Sequence, residues 1–559
     1  MRTLRIMSVL LGAAGMSAAA VPRATAQQPA RPATQTFVDY AAPAWTRGAV
    51  CYEVFVRSFQ DSNGDGIGDL NGLTSRLDYI NDGNPKSKTD LGARCIWLMP
   101  VAESPSYHGY DVTNYYRVNP EYGTNADFKR LVAAAHRRGI KVIVDMVLNH
   151  TSNLDPHFQA ALRDTASPYR SWYRFSPTPL GKGPWGTDAW HKSPVRDEYY
   201  YGVFSSEMPD LNYDTPAVRA EGKKIAAYWL RTMGVDGFRL DAVQYLVEAG
   251  ACMKDCAGTH AYLRSYQAFV DSVEPQAYTI GEVWDPVDTL LTYYPDQLTA
   301  YFSFDLADSL RTAVRRGTVG GMFRDYLTLQ DKLPSYRWSP LLSNHDGTRI
   351  MTILGGSMPA AKQAATLLLT LPGLPYIYYG EEIGMTGDKP DPRLRTPMQW
   401  APRSGYGFTT GHPWERAQPD SMTTTVAGED HEPGSLLDLY RRLIHLRAGN
   451  DALASGRLTL LQANDPHVAA FVRRTENGRA VLVVANLSDS AVAGVSLASG
   501  GAGLPAGRYQ PRDLLGAASA PPLEVAPNGR ITGYVPAKTL RGHETLVFAL
   551  IHARSNTSR

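Results

Sequence analysis

From about residue 49, the chain alternates short apolar runs rich in Val, Ile and Tyr with longer segments of helical periodicity. This alternation is typical of βα units and predicts a parallel sheet flanked by helices. The eight predicted strands are Val50–Val56, Cys95–Pro100, Ile140–Leu148, Val235–Leu240, Tyr278–Val283, Ala300–Phe304, Ser339–Asn344 and Leu374–Tyr379. Eight strands are what a closed (β/α)8 barrel requires, although a doubly wound sheet shares the alternation.

The segment after the second predicted strand is the clearest helix. Phe128, Leu131 and Val132 fall on one helical face. Asn125 is the predicted N-terminal cap, and Gly139 is the predicted stop before the third strand.

A chain of 559 residues is too long for one ordinary core, and its pattern changes in two places. Residues 150–213 are rich in Pro, Gly, Trp and Tyr and predict a domain inserted after the third strand, over the barrel mouth. After about residue 458, short alternating runs with turn signals predict an antiparallel β-sandwich. The predicted organisation is therefore a barrel over residues 49–149 and 214–457, the insertion 150–213, and a C-terminal domain over 458–559.

Residues 1–26 have the pattern of a secretory signal peptide. Arg2 and Arg5 precede the apolar run Ile6–Ala20, and Ala24-Thr25-Ala26 forms a small-residue cleavage site before Gln27. We expect this segment to be removed, residues 27–48 to form a linker, and the mature protein to be secreted or periplasmic. No later apolar run in the sequence is long enough to span a bilayer, so no membrane partner is expected.

The composition argues against another class of partner. The 56 basic and 54 acidic residues give a formal net charge of +2. A nucleic-acid-binding protein needs a concentrated basic surface, so nucleic acid is not expected as a partner. We expect a globular monomer.

The four cysteines fall into two pairs. Cys252 and Cys256 lie close together in a Gly-bearing loop and could form a disulfide in an oxidising compartment. Cys51 and Cys95 lie in apolar strand-like runs, where we expect buried free thiols, with a disulfide as the alternative. None of the four has the spacing of a zinc site.

Three acidic residues end predicted strands. Asp241 follows strand four, Glu282 lies near the end of strand five in Gly281-Glu282-Val283-Trp284, and Asp346 ends Ser343-Asn344-His345-Asp346 after strand seven. The carboxyl ends of parallel barrel strands meet at one rim, which is where such barrels carry catalytic residues. We therefore expect the three carboxyl groups to surround one ligand, whereas a single acidic residue at a strand end would more often be a cap or a surface charge.

Two of these carboxyls have neighbours that favour opposite protonation states. Arg239 lies two residues before Asp241 on the same strand face and is expected to hold Asp241 as a carboxylate. Trp284 lies two residues after Glu282, and an apolar wall with nearby negative charge would keep Glu282 protonated. One ionised and one protonated carboxyl group are what glycoside hydrolysis requires.

Seven segments between about residues 49 and 400 resemble, in their order along the chain, the sequence signatures of glycoside hydrolase family 13, the α-amylase family. The matching segments are Gly109-Tyr110-Asp111-Val112-Thr113, Asp145 to His150, Met208 to Asn212, Gly237 to Val243, Gly281 to Trp284, Ser343 to Asp346 and Gly373 to Glu382. The resemblance implies a (β/α)8 TIM barrel, an inserted B domain after strand three and a C-terminal β-sandwich. It also implies an α-amylase that cleaves α-1,4-glucosidic bonds of starch-like glucans with net retention.

The same resemblance implies roles for individual residues. Asp241 would be the nucleophile, Glu282 the acid/base, and Asp346 would bind and distort the sugar. The implied ligands of the sugar in the −1 subsite are His150, His345 and Arg239, with Tyr110 stacked beneath the ring.

Asp111 and Arg395 resemble an ion pair that closes the −1 end of the site in oligosaccharide-trimming relatives. Such a pair would favour short substrates or exo attack. Ala242 follows the nucleophile where many α-1,6-cleaving relatives carry Val, which favours α-1,4 bonds.

The loop from Asp61 to Asp69 alternates oxygen-bearing side chains with small residues, a pattern that can wrap a hard cation. The predicted ligands of a structural calcium ion are Asp61, Asn63, Asp65, the carbonyl of Ile67, and Asp69. Similar loops in α-glucosidase-like relatives bind calcium, and the alternative is a polar turn held by its own hydrogen bonds. A second, interdomain ion is not predicted, because Tyr245 stands where many α-amylases have His.

Two kinds of alternative remain. An α-glucosidase, a cyclomaltodextrinase or neopullulanase, or a trehalose-forming transglycosylase would use the same site with another acceptor or linkage. An inactive carbohydrate-binding barrel would have lost an essential carboxylate, and this chain retains all three.

Overall fold

A computed structural model of the chain describes residues 43–501, 503–516 and 518–553. The predicted signal peptide and residues 27–42 of the predicted linker lie outside the described residues. The described chain begins near a short 3-10 helix, Ala44–Thr46, and leads directly into the first strand.

Eight parallel strands, β1 to β8 in chain order, form the central sheet of the described residues. They are β1 Cys51–Val54, β2 Cys95–Leu98, β3 Lys141–Met146, β4 Gly237–Leu240, β5 Tyr278–Gly281, β6 Ala300–Phe302, β7 Trp338–Ser339 and β8 Tyr376–Tyr378. Each strand pairs with its neighbour in sequence from β1 to β7, and β8 pairs with β1. A parallel bridge between Leu341 and Tyr376 joins the end of β7 to β8, so the sheet closes into a barrel. The prediction of a closed barrel is therefore confirmed, and the alternative of a doubly wound sheet is excluded.

Helices cover the outside of the barrel. The main ones are Asn125–Arg137, Pro216–Tyr228, Ala257–Val273, Phe304–Arg316, Arg324–Lys332, Met358–Thr370 and Leu436–Gly449; shorter ones are Val56–Phe59, Leu70–Ser75, Leu77–Ile80, Val287–Leu290, Ile350–Ile353, Asp391–Leu394, Val426–Glu429 and Asp451–Ser455. The predicted cap of the first main helix was wrong by one residue. Thr124 is the cap, and it forms a reciprocal capping box with Asp127, while Gly139 adopts a positive φ of 74° just beyond the helix.

The segment between β3 and the helix Pro216–Tyr228 has its own small sheet. It contains the helix Pro156–Arg163 and the strands Phe175–Ser176, Trp190–Lys192 and Tyr199–Tyr201, of which the last is central. A bridge pairs His150 with Asp210, so the predicted insertion leaves and rejoins the barrel at one point of the rim.

The C-terminal part is an antiparallel sheet, as predicted. Its strands are Arg457–Ala463, Val468–Arg474, Ala480–Asn486, Leu497–Ser499, Gly507–Asp513, Leu523–Val525, Ile531–Tyr534 and Thr545–His552, and Val492–Ala493 pairs separately with Thr539–Leu540. One face of this sheet joins the apolar core of the barrel, because Phe471 and Val483 belong to the same buried cluster as Leu367 and Leu443 of the barrel helices.

Two buried arginines stabilise this junction. Arg473 donates to the carbonyls of Thr370, Leu453 and Gly456 at 2.6–3.1 Å. Arg447 donates likewise to three carbonyls at and after the end of the helix Met358–Thr370. The carbonyls at a helix C-terminus have no partner within the helix, so these guanidinium groups supply their missing donors.

Both cysteine pairs form disulfides. The Cys252–Cys256 bridge agrees with the prediction, whereas the expectation of free thiols at Cys51 and Cys95 was wrong. Cys51 of β1 lies directly opposite Cys95 of β2 in the sheet register, with Cα atoms 4.5 Å apart, and that register could not be derived from two apolar runs alone. Among the described helices, none combines the length and the apolarity that crossing a membrane would take.

Candidate active site

A cavity of about 490 Å³ opens at the carboxyl ends of the barrel strands. Of the sequence-predicted site residues, its lining contains Asp241, Glu282, Asp346, Tyr110, His150 and Arg395. Arg239 and His345 are buried behind this wall and contact its carboxylates. Strand ends far apart in sequence thus form one site, as the barrel pattern predicts.

Arg239, on β4, connects the two central carboxyl groups. Its Nη1 lies 2.7 Å from Asp241, and its Nη2 lies 2.9 Å from Glu282. The same guanidinium is 2.8 Å from Asp145, which belongs to β3. Three buried carboxyl groups therefore share one cation.

This sharing gives Asp241 two acidic neighbours in addition to Arg239. Burial raises the pKa of Asp241 well above its ordinary value; Arg239 lowers that pKa, but the carboxylates of Glu282 and Asp145 raise it. The sequence-based expectation considered Arg239 alone and missed the two competing acids. Because one guanidinium cannot neutralise three carboxylates, ionisation of all three carboxyl groups at once is disfavoured.

Glu282 is held by donors on both sides. The backbone N–H of Ala242 donates to Oε2 at 3.0 Å, and the indole N–H of Trp284 donates to Oε1 at 2.7 Å. Ala242 adopts a left-handed conformation with φ 48°, which turns its N–H toward the carboxyl group. The ring of Trp284 stacks on Phe304 with centroids 3.6 Å apart, and Trp284 is 47% exposed and lines the cavity.

Asp346 is fixed through His345. The Nε2 of His345 lies 3.0 Å from Asp346, and its Nδ1 lies 2.6 Å from the buried Glu53 of β1. Burial lowers the pKa of His345, but the carboxylates of Asp346 and Glu53 raise it to about 9. Burial likewise opposes ionisation of Asp346, but His345 and Arg395 hold its pKa below the ordinary value. Asp346 is therefore a carboxylate at neutral pH.

The ion pair predicted between Asp111 and Arg395 was wrong. Arg395 lies 2.9 Å from Asp346 and 3.5 Å from Asp391, whereas Asp111 is buried and accepts from the hydroxyls of Ser104 and Ser106. The two serine hydroxyls satisfy Asp111, and Asp391 offers Arg395 a partner at the other end of the short helix Asp391–Leu394, which Arg395 follows. Arg395 still closes this end of the cavity, but through another carboxylate.

His150 offers a polar atom to a ligand, whereas the hydroxyl of Tyr110 is paired within the site. Burial lowers the pKa of His150 to about 3, so its ring is neutral, and its buried Nε2 has no hydrogen-bond partner among the described residues. The hydroxyl of Tyr110 lies 2.7 Å from His345 Nε2 and 3.0 Å from Asp145. A neutral imidazole with an unpaired nitrogen suits a sugar hydroxyl, which can donate or accept.

Sequence reasoning missed four contributors to this site. Glu53 and Asp145 occupy positions inside otherwise apolar strands, where a buried acidic residue signals a functional pairing. Asp391 begins the short helix Asp391–Leu394 and Lys254 lies in a loop; both line the cavity, and nothing in their local sequence indicates that position.

The predicted calcium loop is closed by its own hydrogen bonds. Asp61 accepts three backbone N–H groups of the loop at 2.7–2.9 Å, and Asp69 caps the helix Leu70–Ser75. Burial raises the pKa of Asp61, but Thr409 and these N–H groups outweigh burial and leave the pKa below its ordinary value. Within the residues that the structure describes, no three His, Cys, Asp or Glu side chains form a group that could hold a metal ion. Calcium at Asp61, Asn63, Asp65, Ile67 and Asp69 stays a prediction.

Known proteins are similar to this chain in both sequence and fold. A family model of the α-amylase catalytic domain matches residues 53–456. "Alpha-amylase 3" of Dictyoglomus thermophilum is 38% identical over 449 residues, which cover 79% of this chain and 85% of that protein. "Trehalose synthase/amylase TreS" of Mycobacterium tuberculosis is 36% identical over 512 residues, covering 80% of this chain and 83% of that protein. The crystal structure of an α-amylase from H. orenii is 38% identical with a TM-score of 0.76, covering 90% of this chain and 99% of that one.

Proposed function

Because this chain belongs to the α-amylase family of glycoside hydrolases, we propose that it cleaves α-1,4-glucosidic bonds of starch and maltodextrins with net retention. The observation that carries the proposal is the contact of Asp241 and Glu282 with one guanidinium, in a cavity whose other wall is Asp346. Membership of this family is enough to support an enzyme that acts on glycosidic bonds of α-glucans. The linkage, the products and the balance of hydrolysis and transfer are the proposed part.

In the proposed reaction, Asp241 attacks the anomeric carbon, and Glu282 gives its proton to the glycosidic oxygen of the departing sugar. The resulting glycosyl ester at Asp241 is then attacked by water, which Glu282 deprotonates. Arg239 remains between the two carboxyl groups and stabilises whichever of them is ionised. Asp346, kept ionised by His345 and Arg395, binds the ring hydroxyls on the other side.

Ala242 supports the α-1,4 preference. Its left-handed backbone costs a β-branched residue more than Ala, and its small side chain lines the cavity next to Glu282. A bulkier side chain at this position would narrow the path of the leaving sugar.

The products of maltoheptaose and soluble starch test the proposal. A series of malto-oligosaccharides from internal cuts supports an α-amylase, whereas glucose alone from the first minute would indicate an α-glucosidase. Trehalose formed from maltose would indicate a transglycosylase of the kind named by the Mycobacterium relative. The anomeric configuration of the first product, followed by NMR, tests retention.

We also propose that the loop from Asp61 to Asp69 binds one structural calcium ion. Its side-chain donors are oxygens, which Ca²⁺ prefers, and the lowered pKa of Asp61 keeps that ligand ionised. Chelator-treated protein is expected to take up one calcium ion per chain and to melt at a higher temperature once calcium is added. Asp65→Ala should lose this response and the surface control Asp164→Ala should keep it. If calcium does not change the melting temperature of the wild type, the loop is held by its own hydrogen bonds and the calcium proposal is wrong.

Export through the signal peptide at residues 1–26 is a further proposal. Two disulfides support it, because such bonds persist in oxidising compartments. Expression of the full chain followed by N-terminal sequencing of the exported protein is expected to give Gln27 as the first residue.

A further inference from the structure

A short loop closed by the Cys252–Cys256 disulfide places Lys254 on the wall of the cavity. We propose that Lys254 binds the sugar on the leaving-group side of the scissile bond, and that the disulfide loop fixes its position. This inference rests on the proposed function and adds a specificity residue that the sequence motifs do not contain.

Contacts of the loop attach it to the segment that carries the acid/base. The backbone N–H of Asp255 donates to the carbonyl of Gln244 at 2.9 Å, and the side-chain amide of Gln244 donates back to Asp255 at 3.0 Å. The oxygen of that amide accepts the backbone N–H of Trp284 at 2.8 Å. Gln244 therefore joins the disulfide loop to the segment two residues after Glu282.

The position of Lys254 identifies the side of the bond that it serves. Its ammonium lies 2.6 Å from Asp285, three residues after Glu282. Since Glu282 protonates the departing oxygen, the leaving sugar must lie on the side of Glu282. Arg395 and Asp346 enclose the opposite end, where the sugar bonded to Asp241 would lie.

The chemistry around Lys254 fits a neutral sugar. Asp285 neutralises the charge of Lys254, which disfavours an anionic ligand. An ammonium has three N–H donors, and the ion pair with Asp285 does not need all three, so a donor remains for a sugar hydroxyl. The side chain is 29% exposed, so it is reachable from the cavity. The exposed Trp284 offers an aromatic face beside it, and a ring face with nearby donors is a common arrangement for a sugar.

The disulfide restricts the freedom that Lys254 would otherwise have. Lysine has a flexible four-carbon stem, so its ammonium can be placed well only if its backbone is fixed. Ala249 and Cys252 exchange two backbone hydrogen bonds, and Asp255 adopts a left-handed conformation with φ 56°. These features and the disulfide close a tight turn whose outer residue is Lys254.

The test compares two substrates in the full-length mature enzyme. Maltotriose has a leaving sugar, whereas α-glucosyl fluoride places only fluoride on that side. In Lys254→Met, the ratio of kcat/KM for maltotriose to kcat/KM for α-glucosyl fluoride is expected to fall about tenfold, mainly through KM for maltotriose. Lys254→Arg should recover part of that ratio because it retains a cationic donor.

The control is Lys182→Met, which removes a lysine paired with Asp188 on the surface of the insertion and should leave the ratio unchanged. The double variant Cys252→Ser/Cys256→Ser, folded as judged by its melting curve, should lower the ratio in the same direction as Lys254→Met. An unchanged ratio in Lys254→Met, or equal losses on both substrates, would overturn the inference while the proposed function stands. A wild-type enzyme that cleaves neither these two substrates nor maltoheptaose would overturn the proposed function as well.

Discussion

Arg239 is the residue on which the electrostatics of the site depend. A buried charge is costly unless it is paired, and here one guanidinium is paired with a carboxyl group of β3 and with the carboxyl groups that directly follow β4 and β5. As the negative charge moves between Asp241 and Glu282 during the proposed reaction, the cation between them does not need to move. The two carboxyl groups can thus exchange protonation states within a fixed geometry.

The acid role of Glu282 can be separated from general damage to the site. Glu282→Gln is expected to reduce kcat for maltoheptaose by roughly 10²–10⁴-fold, because the amide cannot protonate the leaving oxygen. The loss on α-glucosyl fluoride should be much smaller, because fluoride needs little protonation to leave. Glu207→Gln, an exposed position of the insertion, is the control. Equal losses on the two substrates would contradict the acid assignment.

The charge of His345 predicts a pH dependence of stability. Its pKa is about 9 in the folded protein, and an unfolded histidine has a pKa of about 6.5. The stabilisation is therefore fully present below about pH 6.5 and is lost as the pH rises through about 9. Urea unfolding at pH 6.5 and pH 9 should show a smaller fall in stability for His345→Gln than for the wild type. His431→Gln, at an exposed histidine, should behave like the wild type.

At this scale the sequence predicted which carboxyl groups meet, but not all of their partners. Asp241, Glu282 and Asp346 were predictable because each lies beyond the carboxyl end of a strand, and the carboxyl ends of barrel strands converge by geometry. The nearest partner of Arg395 was not, because Asp346, 49 residues before it in the chain, approaches it only in the folded barrel. The protonation of Asp241 depends on Asp145, whose distance from Arg239 no sequence spacing gives.

At the scale of the elements, a disulfide joins β1 and β2 in addition to their backbone hydrogen bonds. The Cys51–Cys95 disulfide closes a loop with a sequence separation of 44, whereas Cys252–Cys256 has a separation of 4. In the chain-entropy description, a longer closed loop stabilises the folded state more.

Removal of the two disulfides should therefore have unequal effects. Cys51→Ala/Cys95→Ala is expected to lower the free energy of unfolding by about 4 kcal/mol, and Cys252→Ala/Cys256→Ala by about 2 kcal/mol. Urea unfolding of the two double variants measures the difference. A larger loss from the short loop would mean that native contacts, rather than chain entropy, dominate.

The elements themselves were predictable because their periodicity is local. All eight barrel strands were located, and most of them are shorter at their carboxyl ends than predicted, because the apolar run continues into the loops that form the site. The register of β1 on β2, and with it the disulfide, follows from long-range pairing that a single run does not encode.

At the scale of the whole molecule, the barrel and the C-terminal sheet form one packed body. They share an apolar cluster, and Arg473 of the sheet donates to the carbonyl of Thr370 at the end of a barrel helix. The two parts are therefore expected to unfold together.

Calorimetry of Arg473→Met tests this coupling. The substitution leaves the buried carbonyls of Thr370, Leu453 and Gly456 without their donor, which should cost about 3 kcal/mol or more in total. A single transition at a lower temperature is expected, because the sheet cannot melt without exposing the core of the barrel. Arg479→Met, at an exposed ion pair with Asp451, should change the transition little. Two separated transitions would show that the sheet is an independent unit.

The closure of the barrel constrains when the enzyme can become active during its synthesis. Cys51 of β1 pairs with Tyr376 of β8, which the ribosome adds roughly 325 residues later. At about 5–20 residues per second, the first strand waits some tens of seconds for its last neighbour. A nascent chain therefore carries an unpaired apolar edge on β1 until β8 has been added.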